Sequence, residues 1–254
     1  MAVLSLTAAL SPIMTPYDPA TQNLEQDLLP SSVSHPLGTD KLGRDVLTRV
    51  LYGGRISLLV GVTTVTISLA IGLVVGALSG YFGGWVDRIL MRIVDILLSF
   101  PGILLAIAFA AMLGPGLRHT VFALCLIGWT AYARLVRGQI LSLREREFIQ
   151  AARAMGCSSA RIIILHLLPN VLPLLIIQAT FGMAAAIVGE GSLSFLGLGV
   201  QPPTPSWGAM LNEGRQFLLV APHITAYPGL AISITVLGLN LIGDALTERL
   251  QQRS

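Results

Sequence analysis

The sequence predicts an all-α membrane bundle of five full transmembrane helices plus a short or truncated N-terminal one. Hydrophobic residue types make up 54% of the 254 residues and charged types only 11%, whereas a soluble domain carries about 25% charged residues. Mean hydropathy is +0.76, and long charge-free windows separate the few charges. This composition excludes an ordinary cytosolic enzyme or a nucleic-acid binder, because too few charges remain to cover a soluble surface.

Five charge-free windows are the predicted spans, since a spanning helix needs about 20 mostly apolar residues. They are residues 56–78, 96–117, 119–133, 169–188 and 224–241. The window at 119–133 is short, and it spans only if Arg134 and Arg137 extend to the membrane interface. Pro101 predicts a kink inside the 96–117 helix. That kink has two interpretations, a hinge beside a pathway or a static aid to packing.

The N-terminal region has a different character. Residues 1–14 are apolar but short, which favours a truncated or marginal first helix over an interfacial anchor, and no positive charge marks them as a signal peptide. Residues 43–55 are predicted to form an amphipathic helix on the outer surface, with Val46, Leu47, Val50 and Leu51 facing lipid. The predicted units are an N-terminal region at 1–55, a transmembrane domain at 56–246 and a tail at 247–254.

Basic residues predict the orientation of the bundle. Ten of them fall in the loops and tail on one side, and six fall on the other. The positive-inside rule therefore predicts a cytoplasmic C-terminus and a cytoplasmic 142–169 loop. Asp95, near the same side, is predicted to pair with Arg92 or with an arginine of the segment that begins at Arg134. Residues 190–222 form a long external loop in this arrangement, interpreted as packing at the outer mouth or as docking a binding protein.

The cytoplasmic loop predicts two helices around a glycine corner. Ser142 and Glu145 fit a capping box that would start a helix running to about Met155, and Gly156 suits the left-handed position at its end. Ser158 or Ser159 would cap the second helix. A helix pair lying on the membrane is an alternative interpretation, and a DNA-reading helix-turn-helix is disfavoured because both ends are tethered to the membrane.

The loop also resembles a known motif. Gln150-Ala151-Ala152, then Gly156, then nine residues, then His166-Leu167-Leu168-Pro169 is similar to the EAA loop. That loop belongs to the membrane permeases of binding-protein-dependent ABC importers, and its pattern has Glu at the position of Gln150 and Ile at that of His166. Residues 37–47, 194–208, 228–230 and 240–246 resemble segments of the dipeptide/oligopeptide/nickel permease group, in particular its second, C-type subunit.

The resemblance implies a type I ABC importer transmembrane domain in the bacterial inner membrane. The implied partners are a related second permease, two ATP-binding subunits, an extracytoplasmic substrate-binding protein and membrane lipid, with no nucleic acid. The implied ATPase-coupling residues are Phe148, Gln150, Ala151, Ala152, Met155, Gly156, His166, Leu168 and Pro169. ATP and Mg are expected only on the partner subunits, because this sequence has no phosphate-binding Gly-x-x-x-x-Gly-Lys-[Ser/Thr] loop.

Other functions are less well supported by the sequence. Pro101, Gln178 and Asn240 are candidates for a pathway or a hinge, although interhelical hydrogen bonding is the alternative for the two amides. A secondary transporter needs ionisable residues inside the spans, and the centres of the windows lack them. A membrane enzyme needs a nucleophile–base pair or a metal cluster, and the four scattered histidines show no ligand spacing. The substrate stays open among dipeptides, oligopeptides, nickel chelates and glutathione-like peptides.

Overall fold

The computed structural model describes residues 15–251. The predicted N-terminal helix at 1–14 and the last three residues of the tail lie outside this range. Over the described part, the chain is all-α and has no β-strand, apart from an isolated bridge between Thr39 and Asp45. The predicted fold class is therefore confirmed.

Eight α-helices are named here in chain order. They are α1 (Val46–Phe82), α2 (Gly84–Leu98), α3 (Gly102–Leu113), α4 (Leu117–Leu143), α5 (Glu147–Ala154), α6 (Ser159–Phe195), α7 (Trp207–Gly214) and α8 (His223–Gln251). Helix α6 is interrupted by a π-helical stretch at Ile162–Leu167. Short 3₁₀ turns lie at Leu24–Gln26 and Arg215–Phe217.

Four helices within the described range, α1, α4, α6 and α8, are long and apolar enough to cross a membrane. They contain the predicted spans 56–78, 119–133, 169–188 and 224–241. The count reaches five only if α2 and α3 together form one broken span. Four of the five predicted spans are thus supported. The fifth, at 96–117, is not a single continuous helix.

The predicted continuous helix at 96–117 is wrong. Helices α2 and α3 are separated by Ser99–Pro101 and meet at an angle of 85°. Pro101 is the residue before α3 rather than a kink inside a span. The physical reason is that proline has no N–H to continue the helix and disfavours helical backbone in the preceding residue.

The predicted surface helix at 43–55 is also wrong. Its residues form the beginning of α1, where Asp45 accepts hydrogen bonds from the Thr48 N–H (2.8 Å) and hydroxyl (2.7 Å). Val46 is fully buried against protein, and Leu47, Val50 and Leu51 are half-buried. Helix α1 runs without interruption for 37 residues.

Close contact between α1 and α4 is made through glycines at four-residue spacing, Gly72, Gly76 and Gly80. A Cβ atom at Gly72 would lie 2.4 Å from the Tyr132 Cβ, and one at Gly76 would lie 2.6 Å from the Ala133 carbonyl oxygen. Small residues allow helix backbones to approach this closely in a membrane. These glycines therefore serve the close packing of α1 against α4.

A buried ion cluster joins the start of α1 to α7. Arg44 donates to Asp40 and to Glu213, both at 2.6 Å, and Arg49 lies 3.4 Å from the same Glu213 carboxylate. Both arginines are almost fully buried. Trp207 of α7 adds a hydrogen bond from its indole N–H to the Val50 carbonyl at 2.8 Å. The predicted external loop at 190–222 begins only after α6 ends at Phe195. The part of this loop that forms α7 is bound to the start of α1 by these contacts.

Candidate functional site

The 142–169 hairpin has the predicted helix–corner–helix form with different boundaries. Helix α4 continues through Ser142 to Leu143, and α5 begins at Glu147 after Arg146. The predicted capping box at Ser142 and Glu145 is therefore wrong. Helix α4 extends past the capping sequence because Leu143 is buried in the core. This tertiary packing outweighs the local preference for a new helix start at Ser142.

The corner itself is confirmed in detail. Gly156 has φ +76°, its N–H donates to the Arg153 carbonyl at 2.9 Å, and the Cys157 N–H donates to the Ala152 carbonyl at 3.1 Å. This pair of bonds is a Schellman motif, which ends a helix through a left-handed residue. The Ser158 hydroxyl then accepts from the Arg161 N–H at 3.4 Å and caps the next helix.

The two faces of α5 have different surroundings. Ile149 and Ala152 are buried in a core cluster that contains residues of α1, α4 and α6. Phe148, Ala151 and Met155 are exposed, and 76% of the Met155 surface is accessible. Helical spacing alone would place Phe148, Ala151, Ala152 and Met155 on one face. In the structure Ala152 instead anchors the helix to the core, and only the other three are exposed. What α5 presents outward is a small patch of apolar and small side chains.

The remaining predicted hairpin residues lie around the second half of the corner. The Gln150 side-chain amide is exposed and donates to the Glu145 carbonyl at 3.0 Å. His166 lies in the π-helical stretch, where the Leu168 N–H reaches back to the Ile163 carbonyl. Pro169 follows directly and has no N–H to donate to the preceding turn. This missing donor accounts for the change from α-helical to π-helical hydrogen bonds there.

Two ion pairs hold α2 against α4 beside the hairpin. Arg137 binds Asp87 through two hydrogen bonds of 2.5 and 2.7 Å, and Arg134 lies 2.5 Å from Asp95. The predicted pairing of Asp95 with an arginine of this segment is confirmed. The Arg137–Asp87 pair was missed, although the sequence carries a signal for it. The two acids are eight residues apart on α2 and the two arginines three apart on α4, so each pair shares one helix face.

Two adjoining cavities lie along α6. The first, of about 450 Å³, is lined by residues of α1, α3, α4 and α6, and Gln178 forms part of its wall. The second, of about 580 Å³, lies among α3, α6 and α8 and includes Asn240. Gly102, next to Pro101, lines the first. Gln178 and Asn240 thus line neighbouring cavities, whereas Pro101 lines neither of them.

Glu190 is a buried group that the sequence analysis placed in the external loop. It lies within α6 and is nearly inaccessible, where it accepts hydrogen bonds from Ser57 at 3.1 Å and Ser194 at 2.6 Å. It therefore links α1 to α6 inside the bundle. Within residues 15–251, no group of three or more His, Cys, Asp or Glu side chains is arranged to hold a metal ion.

Comparison with known families decides the assignment. The family described as the inner membrane component of binding-protein-dependent transport systems matches residues 72–254. The chain belongs to this family. Its matched region begins inside α1 and includes the hairpin, the second cavity and all of the lining of the first cavity except Thr64, Val65 and Ser68. The architecture described above is therefore that of a permease component.

Individual relatives are similar over nearly the whole chain. The dipeptide transport system permease protein DppC of Alkalihalophilus pseudofirmus is 46% identical over 248 residues, which are 98% of this chain and 82% of the relative. The glutathione transport system permease protein GsiD of Pectobacterium atrosepticum is 46% identical over 94% of this chain and 80% of its own length. The GsiD protein of Escherichia coli is 46% identical over 99% and 83%. The permease is accordingly a transport subunit and not an enzyme.

A solved structure shows the same fold. The permease aligns with a chain of the MetNI methionine ABC transporter, solved in inward-facing conformations, with a TM-score of 0.65 and 22% identity. The alignment covers 80% of this chain and 96% of that chain. The likeness establishes a type I importer permease fold.

Proposed function

We propose that this permease is one half of the translocation pathway of an ATP-driven importer of small peptides. The support is its similarity to relatives named for dipeptide and glutathione transport. The proposed complex contains a related second permease, two ATP-binding subunits that hold ATP and Mg, and an extracytoplasmic substrate-binding protein. Nickel chelates are the less supported substrate class, because neither of those relatives is named for nickel.

The hairpin around α5 is the proposed contact with the ATP-binding subunits. The observation that carries this proposal is the burial of Ile149 and Ala152 in a core shared by α1, α4 and α6. A close-packed interior resists compression and transmits strain. A displacement of α5 by a partner would therefore move three long helices together, which a loosely tethered loop would not do.

The exposed side of α5 suits insertion into a groove. Ala151 has only a methyl group, and Phe148 and Met155 on either side of it supply apolar contact area. A partner helix or groove can therefore approach the α5 backbone at Ala151 closely. Because this end of the bundle carries most of the basic residues, we place it and the C-terminus in the cytoplasm.

The proposed pathway runs along the two neighbouring cavities, both of which are lined by α3 and α6. Asn240 and Gln178 supply uncharged polar groups there, and such groups inside a bundle commonly mark a hydrated path. The second permease would close the other side. The secondary-transporter alternative is not favoured, because Glu190, a buried acid of α6, is held by serine hydrogen bonds.

Ala151→Asp tests the coupling contact, with Ala151→Ser as the matched control. A carboxylate buried without a partner in the docked interface costs about 3–5 kcal/mol, which is more than a hundredfold in affinity. Serine keeps the residue small and uncharged. The measurement is ATP-dependent uptake of a labelled dipeptide into proteoliposomes, together with co-purification of the ATP-binding subunits.

We expect Ala151→Asp to lose uptake and ATPase retention while Ala151→Ser retains both. The level of variant protein in the membrane fraction is compared in the same preparation, since Ala151 is exposed and its replacement should not affect the bundle. Normal uptake by Ala151→Asp would show that α5 is not the coupling contact.

A further inference from the structure

Helix α2 lies at the end of the bundle that carries the hairpin. It begins two residues after α1 ends at Phe82. Arg153 of α5 lies over the ring of Tyr81, the residue before Phe82, at 5.4 Å from the ring centroid. The axis of α2 is turned by 85° from that of α3. Only one of these two helices can therefore run along the membrane normal.

The charges decide which of the two helices enters the hydrocarbon. The 12 residues of α3 contain no charged side chain. The 15 residues of α2 contain four, which are Asp87, Arg88, Arg92 and Asp95. Charged groups inside the hydrocarbon are costly and rare. Helix α3 is therefore the one that enters it, and α2 lies along the membrane surface.

The outward side of α2 is a continuous stripe of exposed residues at the three- and four-residue spacing of one helix face. They are Trp85, Arg88, Ile89, Arg92, Ile93 and Ile96. On the helix surface the four apolar residues occupy one half of this stripe and the two arginines occupy the other half. Trp85 has 67% of its surface accessible. This division is typical of a helix at a membrane interface, whose apolar half faces the acyl chains.

Both carboxylates of α2 are paired within the permease. Asp87 accepts two hydrogen bonds from Arg137, and Asp95 is bound by Arg134. These pairs fix α2 against α4 and occupy the acids that lie nearest to the arginines of the stripe. The stripe therefore carries a net positive charge.

Arg88 and Arg92 have no acidic partner within ion-pair distance among residues 15–251. Arg88 donates a long hydrogen bond of 3.4 Å to the Gly84 carbonyl of its own helix. The Cβ atoms of residues four apart on a helix lie about 5–6 Å from each other, so both guanidinium groups can reach one phosphate. The planar guanidinium group matches the oxygens of a phosphate and can bind two of them at once.

We propose that α2 is a binding site for the phosphate headgroup of an anionic phospholipid. Arg88 and Arg92 bind the phosphate, and the apolar half of the stripe lies among the upper parts of the acyl chains. The orientation proposed above places this site in the cytoplasmic leaflet, where basic residues beside the membrane bind anionic lipids.

Charge complementarity favours a lipid over a protein as the occupant. A protein surface on the stripe would bury Arg88 and Arg92, which is costly unless that surface supplies carboxylates to both. An anionic lipid interface offers phosphate groups and acyl chains side by side, in the same arrangement as the two halves of the stripe.

The test measures which lipid contacts α2 in the complete importer, reconstituted in nanodiscs with a coumarin amino acid in place of Ile89. Phosphatidylglycerol and phosphatidylcholine carry the same nitroxide-labelled acyl chains and are compared as quenchers of the coumarin fluorescence. Because nitroxide quenching needs close contact, the ratio of the two quenching curves gives the preference for the anionic headgroup at α2.

Two double variants accompany this measurement. Arg88→Gln with Arg92→Gln removes both charges from the stripe while keeping exposed polar side chains. Arg55→Gln with Arg118→Gln is the matched control, because it changes the net charge equally. Both control arginines are exposed, and they lie in the first part of α1 and at the start of α4, away from the hairpin.

We expect phosphatidylglycerol to be preferred over phosphatidylcholine by about fivefold or more, as the attraction of one or two arginines to an anionic lipid implies. Arg88→Gln with Arg92→Gln should abolish this preference, and Arg55→Gln with Arg118→Gln should retain it.

Three results would overturn the proposal. Quenching by neither lipid would mean that the second permease or water covers the stripe. Equal quenching by both lipids would mean that the stripe contacts lipid without selecting a headgroup. An equal preference in the two double variants would mean that Arg88 and Arg92 are not its source. Peptide uptake enters none of these measurements, so failure of this proposal and failure of the proposed importer function are separate outcomes.

Discussion

Gly76→Ala is expected to destabilise the permease, although alanine is normally the better helix former. Gly76 lies at the close contact between α1 and α4. A Cβ atom there would be 2.6 Å from the Ala133 carbonyl oxygen and 2.7 Å from the Val136 Cβ. Neither atom belongs to a flexible side-chain end, so relief requires movement of the α4 backbone.

The magnitude follows from two opposing effects. Alanine gains about 0.5–1 kcal/mol over glycine inside a helix. Overpacking a well-filled contact costs about 1–3 kcal/mol. Because the clash involves backbone, the cost should be near the upper part of that range, for a net loss of about 1–2 kcal/mol.

Gly138→Ala provides a control of opposite sign. Gly138 also lies inside a helix, α4, but a Cβ atom there meets nothing within 4 Å, so only the helix-propensity gain of about 1 kcal/mol remains. The measurement is the unfolding free energy of purified permease titrated with SDS in mixed micelles. Equal or greater stability of Gly76→Ala than of wild type would refute the assigned α1–α4 contact.

Three further predictions concern the two ends of the bundle. Gly156→Val should lower dipeptide uptake several-fold, whereas Gly156→Asn should keep most of it. The reason is that asparagine tolerates the left-handed φ of +76° and valine does not. Equal uptake by the two variants would argue against a conformational requirement at this corner. Glu213→Ala should cost about 3–5 kcal/mol by leaving the buried Arg44 and Arg49 with one acid, Asp40, and an unchanged SDS unfolding curve would contradict this. In a variant with both natural cysteines replaced, a cysteine at position 253 should react with an impermeant maleimide only after the membrane is opened; reaction in intact cells would reverse the proposed topology.

The windows without charge predicted four spans, because the physical requirement is simple. A helix in lipid needs a long apolar stretch with its backbone hydrogen bonds made internally. The same test misjudged 96–117, since hydropathy carries no information about backbone geometry. Pro101 was recognised in the sequence, but its consequence is a break with an 85° turn and not a kink.

The sequence pattern could not predict that the charged residues at the start of α1 are buried. Arg44 and Arg49 were counted as surface basic residues, and the acid that joins them, Glu213, is 169 positions from Arg44. Charge runs are usually solvated, and only the contact with α7 makes this one buried. Long-range pairing of this kind has no local signal in a single sequence.

At the hairpin, the pattern located the corner but not the helix faces. Gly156 and Ser158 act locally, so their roles were readable from spacing. The burial of Ala152 and the exposure of Ala151 depend on which side of α5 meets the core. Two adjacent alanines offer no chemical difference from which to infer that choice.

The same core connects the proposed coupling contact to the first cavity. The cluster that buries Ile149 and Ala152 of α5 continues through Val136 to Tyr132 and Val65, and the last two line the first cavity. Helix α4 provides this connection, and the glycines of α1 allow α1 to pack closely against it. By contrast, α3 follows the break at Pro101, and its buried residues Ala106 and Ala110 belong to a separate small core. If a partner displaces α5, we expect α1 and α4 to move together and α3 to be the cavity wall that shifts relative to them.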